Sequence, residues 1–149
     1  MPQSLSQQYL HLVFGTKEHS HFINEGIESM LHAYIAGILK NLESPAIIIN
    51  SMPNHIHILF RLSKNYALSN IVEEIKKQSS KWMKGQGIKN FTWQIGYGAF
   101  SVSSSRLKAV SLYIKNQKTH HEKKNFQEEV EEFFKEYNVK EFDSTYFWT

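Results

Sequence analysis

The sequence predicts an α+β fold: four strands and two helices in the order β-α-β-β-α-β, forming an antiparallel sheet with both helices on one face. This is the split βαβ, ferredoxin-like arrangement that RNA-recognition modules also use. Three observations predict it. Short stretches alternate apolar and polar residues with period two. The segments between them space apolar residues by three and four. Turn and capping residues separate the two kinds of pattern.

The elements follow in order. "QQYLHLVFGTK" sets Tyr9, His11 and Val13 on one side and Leu10, Leu12 and Phe14 on the other, which is a strand. Asn24 is placed to cap a helix from Glu25 to Asn41, with Ile27, Met30, Leu31, Tyr34, Ile35, Ile38, Leu39 and Leu42 as its apolar stripe. Pro45 follows it, and the β-branched run "AIIINS" is a second strand. Pro53-Asn54 turns the chain, so "HIHILFRL" returns beside it as a third. "ALSNIVEEIKKQSSKWMK" is a helix burying Leu68, Ile71, Val72, Ile75 and Trp82, ended by "GQG". The second half of "FTWQIGYGAFSVS" is the fourth strand, entered through a loop.

Beyond the sheet, "SSRLKAVSLYIKNQKTHH" reads as a third helix capped by Ser104 or Ser105. "FQEEVEEFFKEYN" is a fourth, with Val130, Phe133, Phe134 and Tyr137 buried and its acids solvated; "FDSTYFWT" is an aromatic terminal segment. The other sheet face is left for a ligand or for these later helices. The whole chain, 1–149, is expected to be one domain: a core over 5–103, a tyrosine-bearing helix over about 104–120, and a C-terminal helix and tail over 124–149.

Composition narrows the function classes. Hydrophobic residues are 41% and charged residues 21%, as in an ordinary soluble protein. The absence of cysteine excludes disulfides, zinc–thiolate centres and cysteine nucleophiles, and makes a reducing cytoplasm the expected location. No secretory signal or membrane span is expected, and neither "GQG" nor "GYG" is a nucleotide-binding phosphate loop. Charge is uneven: residues 1–121 carry 13 Lys and Arg against 6 Asp and Glu, whereas residues 122–149 carry 4 against 8. A basic body with an acidic tail suits a polyanion partner for the body.

Two patterns carry chemistry. In "MPNHIHILF", His55 and His57 share a strand face with Leu59 and Arg61, away from Ile56, Ile58, Phe60 and Leu62. Two neutral imidazoles that close can chelate a divalent ion. By itself the pair reads first as two solvated histidines on an amphipathic strand, and only second as a metal site. His11 faces the same way on the first strand and is a candidate supporting residue. In "YIKNQ", Tyr113 and Gln117 stack at i and i+4 on one helix face. A phenol can act as a covalent nucleophile, and an amide oxygen can complete a metal shell. Tyr113 packed in a core and Gln117 solvated is the plainer alternative.

Together, "PNHIHILF" and "YIKNQKTHH", with "WQIGYGAFSVS" between them, resemble the single-tyrosine HUH transposases of the insertion-sequence-200-like group, which includes the repeat-associated tyrosine transposases. The resemblance runs from "YLHLVFGTK" to "YFW". It implies that His55, His57 and Gln117 bind a divalent ion, Mg²⁺ or Mn²⁺, and that Tyr113 attacks a backbone phosphorus. It implies single-stranded DNA with hairpin ends as substrate, a 5′-phosphotyrosine intermediate, and strand rejoining without a nucleotide cofactor. A homodimer is expected from the same likeness, with the tyrosine helix able to act in trans through a hinge at "SVSSSR".

Arg61, Lys76, Lys77, Lys81, Lys84, Arg106, Lys108, Lys115 and Lys118 are candidate phosphate contacts, and equally a solvated basic surface. Trp93, Tyr97 and Phe100 are expected to pack rather than to stack on bases. Two other readings remain beside the transposase: an inactive hairpin-binding module, and a hydrolase that uses the same histidines to activate water.

Overall fold

A computed structural model describes residues 2–120 and 124–148. Its sheet consists of β1 (Gln8–Gly15), β2 (Ala46–Met52), β3 (His55–Leu62) and β4 (Gly98–Val102), in the order β2-β3-β1-β4 with every pair antiparallel. Helices α1 (Glu25–Asn41) and α2 (Leu68–Gly85) lie in the crossovers, and α3 (Leu107–Lys115), α4 (Gln117–His120), α5 (Phe126–Glu136) and α6 (Ser144–Phe147) follow. The expected β-α-β-β-α-β order and antiparallel sheet are therefore the observed ones.

Local chemistry accounts for the boundaries. The Ile27 amide donates to Asn24 Oδ1 at 3.0 Å, so α1 starts at the expected cap. Helix α2 ends in a Schellman turn: Gly87 has φ +96°, its amide bonds Lys84 O at 3.2 Å, and the Ile88 amide bonds Met83 O at 3.2 Å.

The main core lies between the sheet and α1 and α2. Leu12, Phe14, Ile56, Ile58 and Phe60 meet Leu31, Ile35 and Leu39 of α1 and Ile71, Ile75 and Met83 of α2. Met30 and Tyr34, expected in the α1 stripe, sit at its edge, 50% and 36% exposed; Tyr34 stacks on Trp82 at 5.3 Å. Trp93 packs in this core with its Nε1 donating to Ser79 Oγ at 2.9 Å.

The opposite face is covered by the later helices. Val13 and Phe100 pack under Phe126, Val130 and Phe134 of α5, while Leu59 and Val102 pack under Ile114 of α3. Two expectations change on this face. Neither Ser104 nor Ser105 caps a helix through its side chain; a short 3-10 turn, Ser104–Arg106, leads directly into α3. The helix expected over 104–120 is also divided at Asn116, because Asn50 Nδ2 on β2 donates to Ile114 O at 2.8 Å and Lys115 O at 3.2 Å. Those carbonyls would otherwise accept the next turn's amides, and the Thr119 amide turns to Asn116 O instead. His121, at the end of the expected helix, and Thr149 lie outside the described residues.

Ile58 is fully buried and Ile47 is 44% exposed. Ile58→Ala is expected to cost about 2–5 kcal/mol of unfolding free energy. Ile47→Ala should stay within about 0.5 kcal/mol. Urea denaturation followed by circular dichroism measures both.

Candidate metal and nucleophile site

The β3 alternation carries His55 and His57 to the face under α3 and α5, and both are completely buried. They are not solvated. The register sets Val13 of β1 opposite His57 and Leu59 opposite His11. His11 is thus the diagonal neighbour of His57, and His11 Nε2 lies 2.8 Å from His57 Nδ1. On the other side of β3, Asn50 is opposite His57. Its grip on the end of α3 brings Tyr113 over the histidines of its own chain, with the Tyr113 and His57 rings 6.3 Å apart.

The unexpected component is Glu129. The acids of α5 were expected to be solvated, but Glu129 is only 3% exposed. Its Oε1 lies 3.0 Å from His57 Nε2 and 3.8 Å from His55 Nε2. Its Oε2 accepts a short hydrogen bond from the Tyr113 hydroxyl. The reason for its burial is periodicity: residues 126, 129, 130, 133 and 134 occupy one helix stripe, and Phe126, Val130 and Phe134 anchor that stripe in the core. The sequence contained this signal, an acid inside an apolar stripe, but only the packing showed what faces it.

Phe126 stacks on His55 at 4.1 Å with the rings 7° from parallel, while His55 Nδ1 is 2.7 Å from Asn54 Oδ1. Gly15 makes room for this: a Cβ there would meet Phe126 at 2.5 Å. Gln117 is fully buried, one helical turn beyond Tyr113.

The electrostatics follow from this dry packing. A carboxylate only accepts, so the His57 Nε2 hydrogen is directed at Glu129 Oε1, while His57 Nδ1 pairs with His11 Nε2. Burial, then the neighbouring His57, pull the His11 pKa down to about 3, against a smaller opposing pull from Glu129. The Tyr113 pKa moves up, first through burial and then through the charge and hydrogen bond of Glu129; Gln117 opposes the shift.

One donor atom from each of His55, His57 and Glu129 lies within 4.8 Å of the others. Two imidazole nitrogens and a carboxylate oxygen converging on one point fit a first-row divalent ion or Mg²⁺. Gln117 approaches from the tyrosine side.

The other candidate residues are dispersed. Lys76 has another partner: its ammonium is bonded to Gln94 O at 2.8 Å, Ile95 O at 3.0 Å and Gly96 O at 2.8 Å. These bonds use all three of its protons to fasten the loop before β4, and burial pulls its pKa down to about 8. Lys77, Lys81 and Lys84 are exposed on α2, across the sheet from the histidines, and Lys77 pairs with Glu74 at 2.8 Å. Arg61, Arg106, Lys108, Lys115 and Lys118 are exposed, on β3 or on the elements covering the histidine face; Lys118 pairs with Glu28 at 2.9 Å. As expected, Phe100 is packed inside and Tyr97 is partly buried against the main core.

Comparison with known proteins adds four facts. The family model described as "Transposase IS200 like" matches residues 4–117. A protein of Deinococcus radiodurans, provisionally assigned as a transposase, has a crystal structure similar to this one at TM-score 0.59 and 20% identity, over 78% of this chain and 98% of that one. A REP-associated tyrosine transposase bound to a REP hairpin is similar at TM-score 0.61 and 18% identity, over 81% of this chain and 72% of that one. No curated protein matches the chain.

A raised tyrosine pKa contributes stability that is fully present below the ordinary tyrosine value, about 10, and is lost progressively as the pH rises from there toward the raised folded value. Wild type should therefore go on losing stability to higher pH than Glu129→Gln, in which burial still raises the phenol but the Glu129 charge does not, so its slope flattens first. Denaturant titrations at closely spaced alkaline pH values compare the slopes; equal slopes would mean that Glu129 does not control Tyr113.

Proposed function

Because the chain belongs to the IS200-like transposase family, we propose that it cuts and rejoins single-stranded DNA at hairpin-flanked ends, with Tyr113 as the nucleophile. The observation that carries this reading is the convergence of Tyr113 and the histidine pair on one buried carboxylate. The hairpin bound to the REP-associated relative supports a hairpin as ligand.

The proposed step is a transesterification. The Tyr113 oxygen forms a bond to phosphorus and the bond from phosphorus to the 3′ oxygen breaks. The phenol proton passes to Glu129 Oε2, and the departing 3′ oxygen takes up a proton. The 5′ phosphate stays on Tyr113, which conserves the ester's energy for rejoining without a nucleotide cofactor. His55, His57 and Glu129 would hold a divalent ion, Mg²⁺ or Mn²⁺, with Gln117 as a further candidate ligand. Bound there, such an ion supplies positive charge that polarises the phosphate and offsets the carboxylate beside the phenol. His11 orients the His57 ring through its Nδ1. The packing of α3 on the β2 and β3 strands of its own sheet supports a site formed within one chain, of which a homodimer would carry two.

Three outcomes test this. Wild type incubated with single-stranded oligonucleotides carrying the hairpins that flank its gene, plus Mg²⁺ or Mn²⁺, should form a covalent adduct that survives SDS. Tyr113→Phe should form none. An adduct-free wild type that still grips the hairpin is instead a binding module. Hydrolysis that needs metal yet leaves no adduct marks a hydrolase. Separately, Mn²⁺ binding followed by electron paramagnetic resonance should weaken about tenfold or more in His57→Ala and Glu129→Gln, and less in Gln117→Ala. The reverse order would make Gln117 the third ligand.

A further inference from the structure

A trough runs between α3 and α5 along the β4 edge. It consists of two adjoining cavities of about 300 and 400 Å³ that share Arg106, Val110, Glu136 and Tyr137. The first ends at His11 and Tyr113; the second opens over Ser101, Val102 and Ser103. We propose that this trough holds one unpaired nucleotide of the strand presented to Tyr113, its base against Tyr137 and Phe133 and its backbone phosphate on Arg106. The proposal rests on the strand-transfer reading above and adds to it a place where the protein itself holds the strand beside the scissile bond.

Shape and chemistry select this occupant. Phe133 and Tyr137 are i and i+4 on α5 and so present their rings side by side. Phe100 fixes the Tyr137 ring from below at 4.8 Å, yet Tyr137 remains 44% exposed along the trough. Phe133 lies 5.6 Å from Tyr113, so the aromatic wall continues to the nucleophile. Base-on-aromatic stacking is the usual way a protein holds single strands without reading their sequence.

Arg106 supplies the complementary half. It is exposed at the mouth and, among the described residues, forms no ion pair, although Glu136 lines the same trough. A planar guanidinium with several donors suits a phosphate. An apolar peptide would leave that cation unmatched, and a paired base would first have to be flipped out of its duplex, a cost that an unpaired base does not meet. The opposite wall, with Arg106, belongs to the basic body, which carries 13 cations against 6 acids over residues 1–121. Phe133, Glu136 and Tyr137 all lie beyond the residues 4–117 that match the family, so this wall comes from the chain's C-terminal segment.

Photocrosslinking tests the trough without cleavage. The full-length Tyr113→Phe protein is irradiated with a thymidine oligonucleotide of about a dozen residues containing 5-iododeoxyuridine, and the crosslinked peptides are mapped by mass spectrometry. Crosslinks are expected on the peptide carrying Phe133 and Tyr137. Tyr137→Leu should lower their yield about fivefold or more. Arg106→Gln should weaken binding several-fold and reduce the salt slope by about one charge. Both variants change exposed residues, and circular dichroism checks that they fold. Crosslinks confined to other exposed aromatics, such as Tyr34 or Tyr146, would overturn the proposal, as would no binding of the oligonucleotide. Adduct formation by wild type is scored in parallel. An adduct without an α5 crosslink sinks the trough alone; an α5 crosslink without an adduct upholds the trough as a single-strand site and sinks the strand-transfer reading.

Discussion

A single desolvated carboxylate holds the site together. Glu129 faces His57 and His55 with one oxygen and Tyr113 with the other. A buried carboxylate without partners is strongly unfavourable, so this arrangement exists only because α5, α3 and β3 arrive at one point together. Remove any of the three and the others face an unmatched polar group. The site is therefore sensitive to how α5 seats on the sheet, and Phe126, Val130 and Phe134 control that seating.

The sheet divides its labour between two faces. The face against α1 and α2 is apolar and carries most of the core. The other combines apolar anchors with polar groups in alternate positions, and those polar groups are connected in pairs: His11 to His57, Asn54 to His55, Asn50 to the end of α3. Such a network fixes ring orientation more tightly than apolar contacts would, because each nitrogen has one productive direction. The loop before β4 is tied in the same manner. Lys76 fastens its carbonyls, while Gln94 accepts from the Gly15 amide at 2.7 Å and donates to Phe147 O at 2.9 Å. One loop thus links the end of β1 to the C-terminal segment that covers the histidines.

The family match ends at residue 117, and Glu129 lies beyond it. The C-terminal segment, outside the matched residues, closes the histidine face and supplies its carboxylate. It carries 8 acids against 4 cations over residues 122–149, yet among its described acids only Glu129 is buried. The other described acids are exposed or half-exposed, where water screens them.

The order of strands and helices, the helix cap at Asn24 and the common face of His55 and His57 were all legible in the amino-acid sequence. Each is a local matter: period two decides a strand's faces, and a capping oxygen acts within one turn. The i, i+4 relation of Tyr113 and Gln117 was equally local, although the helix carrying it is divided at Asn116. What tertiary structure alone decided is which groups meet across long separations. It turned a stripe acid of α5 into the partner of two histidines and a tyrosine. It buried imidazoles that strand alternation had merely placed on an open face, and it gave the Lys76 ammonium three carbonyls from a loop 18 to 20 residues away. The reason is that periodicity specifies which side of an element turns inward, whereas the identity of what it meets depends on how distant elements pack, and no local pattern encodes that.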